Sequence, residues 1–430
     1  MEPLLLIIIF ILFFSIIISY TKSNLDFVAI SLICCFIAAS ITFLVVGTTI
    51  DTFILSIEWE AIIIILSMSI ITKIAQDSNI LEFVAVKLFK LSRGEQRIFF
   101  WLLCIITTLL AAIISDVVVV LILAPIVIRL CHFLKIRAGT YLLGMTICIN
   151  IGSIITPFSS GENIIISTAF HLDTLYFIQY YWIFSFFLLF ITIFLIDRFF
   201  LRKEPKIEDL QKKFVIDLVD TDIMVKNKKM FYFNSIAIII TIILFVSLPL
   251  LYLTAVFSAL VLVLVNKSYT KKSMSELLRD IEWEIIFFFI SLYVVIGCML
   301  EAGFAELIAS IPFETFNPFL ISFFLLIIIS LISGIVANTP TALIFIPIVQ
   351  TLISDFSSVP LFFSFIIGIN LGGNFIPQGA ACDMMTLKIA RDSGVENMSY
   401  KRLLKMGGSF ALIHLGISII FLLILVPIFG

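Results

Sequence analysis

Apolar runs long enough to cross a bilayer recur along this chain, and nothing else in the sequence limits its fold so severely. Leu4–Tyr20 holds no charged residue, and similar runs follow at Phe27–Val46, Trp59–Ala75, Gly139–Phe170, Leu175–Ile196, Phe233–Pro249, Leu250–Val265, Ile285–Leu300, Pro360–Leu387 and Gly408–Ile428. A spanning helix needs about 20 such residues. Hydrophobic residues make up 62% of the chain and charged residues 13%, with 45 phenylalanines among 430 residues. No water-soluble core hides that much apolar surface, so lipid must be the solvent. The expected class is an all-α polytopic membrane protein. Leu4–Tyr20 lacks the basic leader and small-residue cleavage site of a signal peptide, so it reads as a spanning helix.

Orientation follows from lysine and arginine, which concentrate in cytoplasmic loops. Two further apolar stretches, Ile98–Ile128 and Phe319–Ile353, are taken as hairpins that return to the face they left. With the N-terminus outside, all 27 basic residues then fall inside. They are Lys22, the set from Lys73 to Arg137, the set from Arg198 to Lys229, the set from Lys267 to Arg279, and the set from Lys388 to Lys405. The outer segments carry acids such as Asp51, Glu58, Glu301, Glu306, Glu314 and Asp355. A multi-pass plasma-membrane protein with both termini outside is expected.

Three signatures occur twice, in the same order and at nearly constant spacing. Ile57-Glu58-Trp59-Glu60 recurs as Ile281-Glu282-Trp283-Glu284, Asp116 with Pro125 as Asn338 with Pro347, and Asn150-x-Gly152 with Pro157 as Asn370-x-Gly372 with Pro377. Glu58-Trp59 would begin a helix at the outer face and Glu282-Trp283 one at the inner face, so the two copies have inverted topology. The expected units are a transmembrane repeat over 1–200, a cytoplasmic linker over 201–230 and an inverted repeat over 231–430. Inverted repeats with broken helices place a transport site at the midplane.

Each repeat carries a re-entrant hairpin and a discontinuous helix. In the first hairpin the arm Val117–Ile128 reaches only about 18 Å as helix, short of about 30 Å of hydrocarbon. The second hairpin turns at Ala337-Asn338-Thr339-Pro340, where Asn338 or Thr339 can cap the next helix. Gly152, Ser153, Pro157 and the run Ser159-Ser160-Gly161-Glu162-Asn163 interrupt one later helix; Gly372-Gly373-Asn374, Pro377 and Asp383 interrupt the other. Such density of glycine and proline unwinds a helix and exposes its carbonyls. Irregular backbone at that depth is tolerated only inside protein or along an aqueous cavity.

These features, the Glu-Trp-Glu helix starts, the hairpin tips followed by Ala124-Pro125 and the Asn-x-Gly breaks, resemble the ion transporter superfamily across nearly the whole chain. That group includes arsenite efflux permeases, NhaD-type sodium/proton antiporters, the melanosomal P protein and citrate or dicarboxylate carriers. The dicarboxylate branch has Ser-Asn-Thr at each tip, where it helps to bind sodium; Ser115, Asp116 and Val117 stand there in the first tip, and Ala337, Asn338 and Thr339 in the second. The resemblance implies a sodium site at Asp116 and Asn338. It also implies a homodimer and, as for some arsenite permeases, a separate ATPase subunit.

Asp116, Glu162 and Asp383 are the carboxylates of the predicted midplane elements, and no base shares those elements. A charge there costs at least about 2.5 kcal/mol, so each needs a cation, a proton or a polar partner. Ser115, Asn150, Gly152, Ser153, Asn163, Asn338, Thr339, Asn370, Gly372, Gly373 and Asn374 complete the candidate set. The seven cysteines and three histidines show no disulfide or zinc spacing. No P-loop is present and no intramembrane protease motif; neither a cofactor nor a nucleic-acid partner is expected. The chain reads as a secondary transporter of a small anion or arsenite coupled to H⁺ or Na⁺, with a sodium/proton antiporter as the alternative. A channel or membrane-embedded enzyme is the reading from a different class.

Overall fold

The computed structural model describes residues 2–21, 25–205, 225, 227–248, 250–270, 274–281 and 283–429, and their regular structure is helical throughout. The first half contains α1 (Pro3–Thr21), α2 (Phe27–Val46), α3 (Ile50–Leu55), α4 (Trp59–Asp77), α5 (Ile80–Leu91), α6 (Gln96–Ala111), α7 (Asp116–Phe133), α8 (Gly139–Gly152), α9 (Gly161–Ala169) and α10 (Thr174–Phe199). The second contains α11 (Lys228–Ser247), α12 (Leu251–Thr270), α13 (Met274–Arg279), α14 (Trp283–Glu301), α15 (Phe304–Ala309), α16 (Pro318–Val336), α17 (Asn338–Leu352), α18 (Ser358–Gly372), α19 (Ala381–Asp392) and α20 (Tyr400–Phe429). Among the described residues, nine helices are long and apolar enough to cross a membrane.

Helix boundaries follow local chemistry. Asp26 accepts from the Ala29 amide at 3.0 Å to start α2, and Asp173 from the Tyr176 amide at 2.8 Å to start α10. Asn317 caps α16 just ahead of Pro318, whose missing N–H sits where no helical partner exists. Trp59 and Trp283 use their indoles alike. Trp59 Nε1 donates to the Ile54 carbonyl at 3.1 Å and Trp283 Nε1 to that of Leu278 at 2.7 Å, while both rings stay partly exposed.

The two hairpins are α6–α7 and α16–α17, and the two broken helices are α8–α9 and α18–α19. One sequence argument fails here. Helix α7 does not stop at Ile128 but runs 18 residues to Phe133, about 27 Å. Arg129–Phe133 continue the helix, so arm length does not separate a re-entrant arm from a crossing one. Helix α20 likewise begins at Tyr400 rather than Gly408, which puts Lys401, Arg402 and Lys405 on helix instead of loop. Most of the expected linker, residues 206–224 and 226, lies outside the described residues, as do Lys22, Lys271, Lys272, Pro249 and Glu282. Helix α11 already starts within that expected linker, at Lys228.

Each broken helix packs its glycines against the first arm of a hairpin. A Cβ on Gly152 would lie 2.5 Å from the Thr108 carbonyl oxygen on α6, and one on Gly372 would lie 2.5 Å from that of Ser330 on α16. Hydroxyls bridge the same two seams. Thr108 donates to the Cys148 carbonyl at 3.0 Å, and Ser333 to the Ile369 carbonyl at 2.9 Å. Apolar surface gives helices little reason to associate in lipid, so small residues and interhelical hydrogen bonds hold these seams. Gly372→Ala should therefore lower stability by about 1–3 kcal/mol, because backbone is what its methyl meets. Gly416→Ala, with open space around it, should not. Thermal unfolding in detergent compares them, and equal melting temperatures would refute the packing assignment.

Candidate functional site

Both hairpin tips and both helix breaks border one cavity of about 1350 Å³. Its deep end is formed by Ser115–Val118, Ser159–Glu162, Ala337–Thr339 and Gln378–Gly379. Its mouth carries Lys73, Asp280, Lys388, Arg391, Glu396 and Tyr400. Four helices begin at or beside this space: α7 at Asp116, α9 at Gly161, α17 at Asn338 and α19 at Ala381. A helix start leaves its first amides without intrahelical partners and carries about half a positive charge. Three of the four carry an acid in the first turn, Asp116, Glu162 and Asp383, which offsets the dipole. Helix α17 has none.

At the first tip, Asp116 Oδ1 accepts from the Val117 amide at 2.8 Å and lies 3.4 Å from Ser115 Oγ. At the second, Asn338 joins the halves. Its Nδ2 donates to Glu162 Oε1 at 3.0 Å, and its Oδ1 accepts from Ser333 Oγ at 2.7 Å. Neither Asn338 nor Thr339 caps α17, contrary to expectation. The cap position is Ala337, and the Asn338 side chain is committed across the site instead. Ala337 adopts φ 89° and ψ 158°, a region nearly reserved for glycine and strained by about 1–3 kcal/mol for other residues. Gly373 allows this tip to seat, since a Cβ there would approach Asn338 Oδ1 to 2.9 Å.

The remaining candidates separate by location. Ser115, Asp116, Glu162, Asn338 and Thr339 border the cavity. Asn150, Ser153, Asn163, Asn370 and Asn374 are buried beside it and brace the breaks. Asn150 Nδ2 donates to Asn374 Oδ1 at 2.8 Å and Asn370 Nδ2 to Asn163 Oδ1 at 2.9 Å, two amide bonds between the halves. The carbonyls freed by unwinding in the first break are not left for a ligand. The Ser153 carbonyl accepts from Ser159 Oγ at 2.6 Å and from Asn163 Nδ2 at 2.5 Å, and that of Ile155 accepts from Trp182 Nε1 at 3.0 Å. Gly152 and Gly372 face hairpin arms rather than the cavity. Asp383, 1% exposed, turns between α8 and α19, where its Oδ1 lies 2.5 Å from Thr146 Oγ1. Asp116 is in electrostatic range of both Glu162 and Asp383.

Sequence reasoning missed Thr146, Thr386, Gln378 and the α4 wall with Thr72 and Lys73. Thr146 was findable, because it precedes Asn150 by one helical turn and so shares its face.

Comparison with known proteins agrees with this architecture. Residues 5–368 match the family described as "Citrate transporter". The 46 kDa membrane protein of Mycobacterium leprae is 23% identical over 85% of this chain and 86% of its own length. An uncharacterized transporter of Mycobacterium tuberculosis is 22% identical over 90% and 91%. The P protein of Mus musculus is 26% identical over 26% of this chain and 13% of its own. The YdaH transporter of Alcanivorax borkumensis shares the fold, with a TM-score of 0.62 over 92% of this chain and 97% of its own at 10% identity.

Replacing Ala337 by glycine should relieve the tip. Ala337→Gly is expected to stabilise the folded protein by about 1 kcal/mol and Ala337→Val to destabilise it. Melting temperatures that fall for both would show that residue 337 is not held at positive φ.

Proposed function

Because the chain belongs to the citrate transporter family, we propose that this membrane transporter is a secondary carrier of a small carboxylate anion, driven by H⁺ or Na⁺. The observation that supports it best is an uncompensated helix start at the bottom of a cavity whose mouth offers Lys388 and Arg391 among bases and acids of mixed sign. Lys388 and Arg391 draw an anion toward the opening, while Lys73 is paired with Asp280. Deeper in, the first amides of α17, beside Asn338 and Thr339, offer an anion the one helix start of the four with no resident acid. Glu162 then stands one hydrogen bond from the bound solute, on Asn338. A proton or sodium ion near Glu162 and Asp116 would remove the repulsion between an anionic solute and those carboxylates, and that dependence is what couples ion to solute.

The repeated order of Trp-led helix, hairpin and broken helix favours two inverted units that rock about this site. With the basic ends inside, the mouth faces the cytoplasm and both termini lie outside. Ties between basic helix ends favour one common face: Arg97 pairs with Asp197, and Arg402 donates to Thr140 at 2.8 Å. An arsenite-like neutral solute would use the same cavity without the mouth's attraction. A sodium/proton antiporter is the second reading, favoured by three carboxylates in the midplane elements without a base.

Purified protein in liposomes decides among them. Labelled citrate should show saturable counterflow. Its half-saturating concentration should rise about threefold to tenfold in Lys388→Gln/Arg391→Gln at low ionic strength, and this difference should shrink at high salt. Sodium-driven proton flux without citrate counterflow would overturn the carrier reading in favour of the antiporter, and single-channel currents would overturn both.

A further inference from the structure

Gln378 borders the deep end of the cavity and Tyr400 its mouth, and one hydrogen bond joins them. Tyr400 Oη donates to Gln378 Oε1 at 2.7 Å, because an amide oxygen can only accept. That direction leaves the other end of the amide open. Among the described residues, Gln378 Nε2 has no protein partner, so its two hydrogens are available to whatever fills the cavity.

Backbone packing fixes where this amide stands. A Cβ on Gly379 would lie 2.8 Å from the Gly373 carbonyl oxygen and 3.0 Å from Gly334 Cα on α16, and Gly373 in turn closes on Asn338. The second break is thereby pressed onto the second hairpin, and Gln378 shares the cavity wall with Ala337, Asn338 and Thr339. The fold does not demand glutamine here. Phe158, which follows the proline of the first break as Gln378 follows that of the second, borders the same cavity. It is buried and stacks on Phe245, ring centroids 4.3 Å apart. One break closes with an apolar ring, and the other holds out two donors. Nor does Tyr400 serve the core, since it is 42% exposed.

We propose that Gln378 is a solute-binding residue that selects solutes with a second carboxylate, and that Tyr400 positions it. This rests on the reading of the protein as a carboxylate carrier and names what decides among carboxylates. The first amides of α17 take one carboxylate, and the Gln378 amide takes the next. Acetate has one group for two stations. Gln378 is half-buried, so an unmatched amide still finds water. Discrimination is therefore about tenfold, well short of what a dry site gives. Tyr400 occupies Oε1 and so keeps Nε2, the donating end, turned toward the solute.

Competition against trace labelled citrate in liposome counterflow tests this, with the tracer far below half-saturation so that half-inhibition reads affinity. Gln378→Ala should weaken citrate and succinate about tenfold and acetate less than twofold. Gln378→Glu, equal in size but without the donors, should weaken citrate and succinate further still. Tyr400→Phe should give the same pattern at about threefold, with no additional loss when combined with Gln378→Ala. Equal weakening of acetate and succinate, or Gln378→Glu behaving as wild type, would overturn the binding role. Additive losses in the double variant would overturn the positioning role. Should Gln378→Ala fail to fold, Tyr400→Phe at its exposed ring decides by the same ratio of succinate to acetate. Wild-type protein without citrate counterflow removes the carrier reading and this assignment with it; wild-type counterflow with unaltered selectivity in the variants removes this assignment alone.

Discussion

A backbone amide or carbonyl without a partner costs several kcal/mol in hydrocarbon, and this one constraint organises the molecule. Two helices are broken and two hairpins turn within an apolar chain, so about eight backbone groups, four carbonyls and four amides, need partners at each irregular place. The structure supplies them from within. Thr156 Oγ1 ties the first break to the Ala112 carbonyl of the first tip at 2.6 Å, while Ser159, Asn163 and Trp182 take the carbonyls between. What stays open are helix starts, and those gather around the cavity.

The same accounting divides the polar residues into two kinds. Asn150, Asn163 and Asn370 donate to one another's neighbours across the breaks, which fixes the two halves there, while Asn374 Nδ2 and Asn370 Oδ1 are buried without a protein partner among the described residues. Ser115, Asp116, Glu162, Asn338 and Thr339 border the cavity and keep capacity for a ligand. Asn338 belongs to both kinds, since it bonds Ser333 within its own hairpin and Glu162 across the site. Any change in the charge of Glu162 is therefore felt at the strained backbone of Ala337, one residue away. Far from the cavity the scaffold is held by other devices, including the reciprocal amides of Asn234 and Asn266 between α11 and α12, each within 2.8 Å.

Much of this was legible from residue order. Apolar run length located the long helices but not α3, α5, α13 or α15, and glycine and proline located the breaks between α8 and α9 and between α18 and α19, because both act on the local backbone. Arm length misled at α7, since Arg129–Phe133 read as a loop by charge yet continue the helix, where arginine is a good helix former. The capping role given to Asn338 failed for a related reason. A side chain with a choice between its own helix and a buried carboxylate takes the bond that otherwise would be missing from the interior.

Local chemistry thus determined the membrane class, the number of irregular elements and the acids worth attention. It could not determine direction. Asp116, Glu162 and Asp383 look alike as first-turn acids, and only packing turns the first two to the cavity and the third between α8 and α19. Helix rotation decides which way a side chain points, and rotation is set by contacts from elements more than a hundred residues away, such as Thr146 against Asp383 and Asn338 against Glu162. A sequence records propensity along the chain; which face of a helix meets which neighbour is a property of the packed bundle alone.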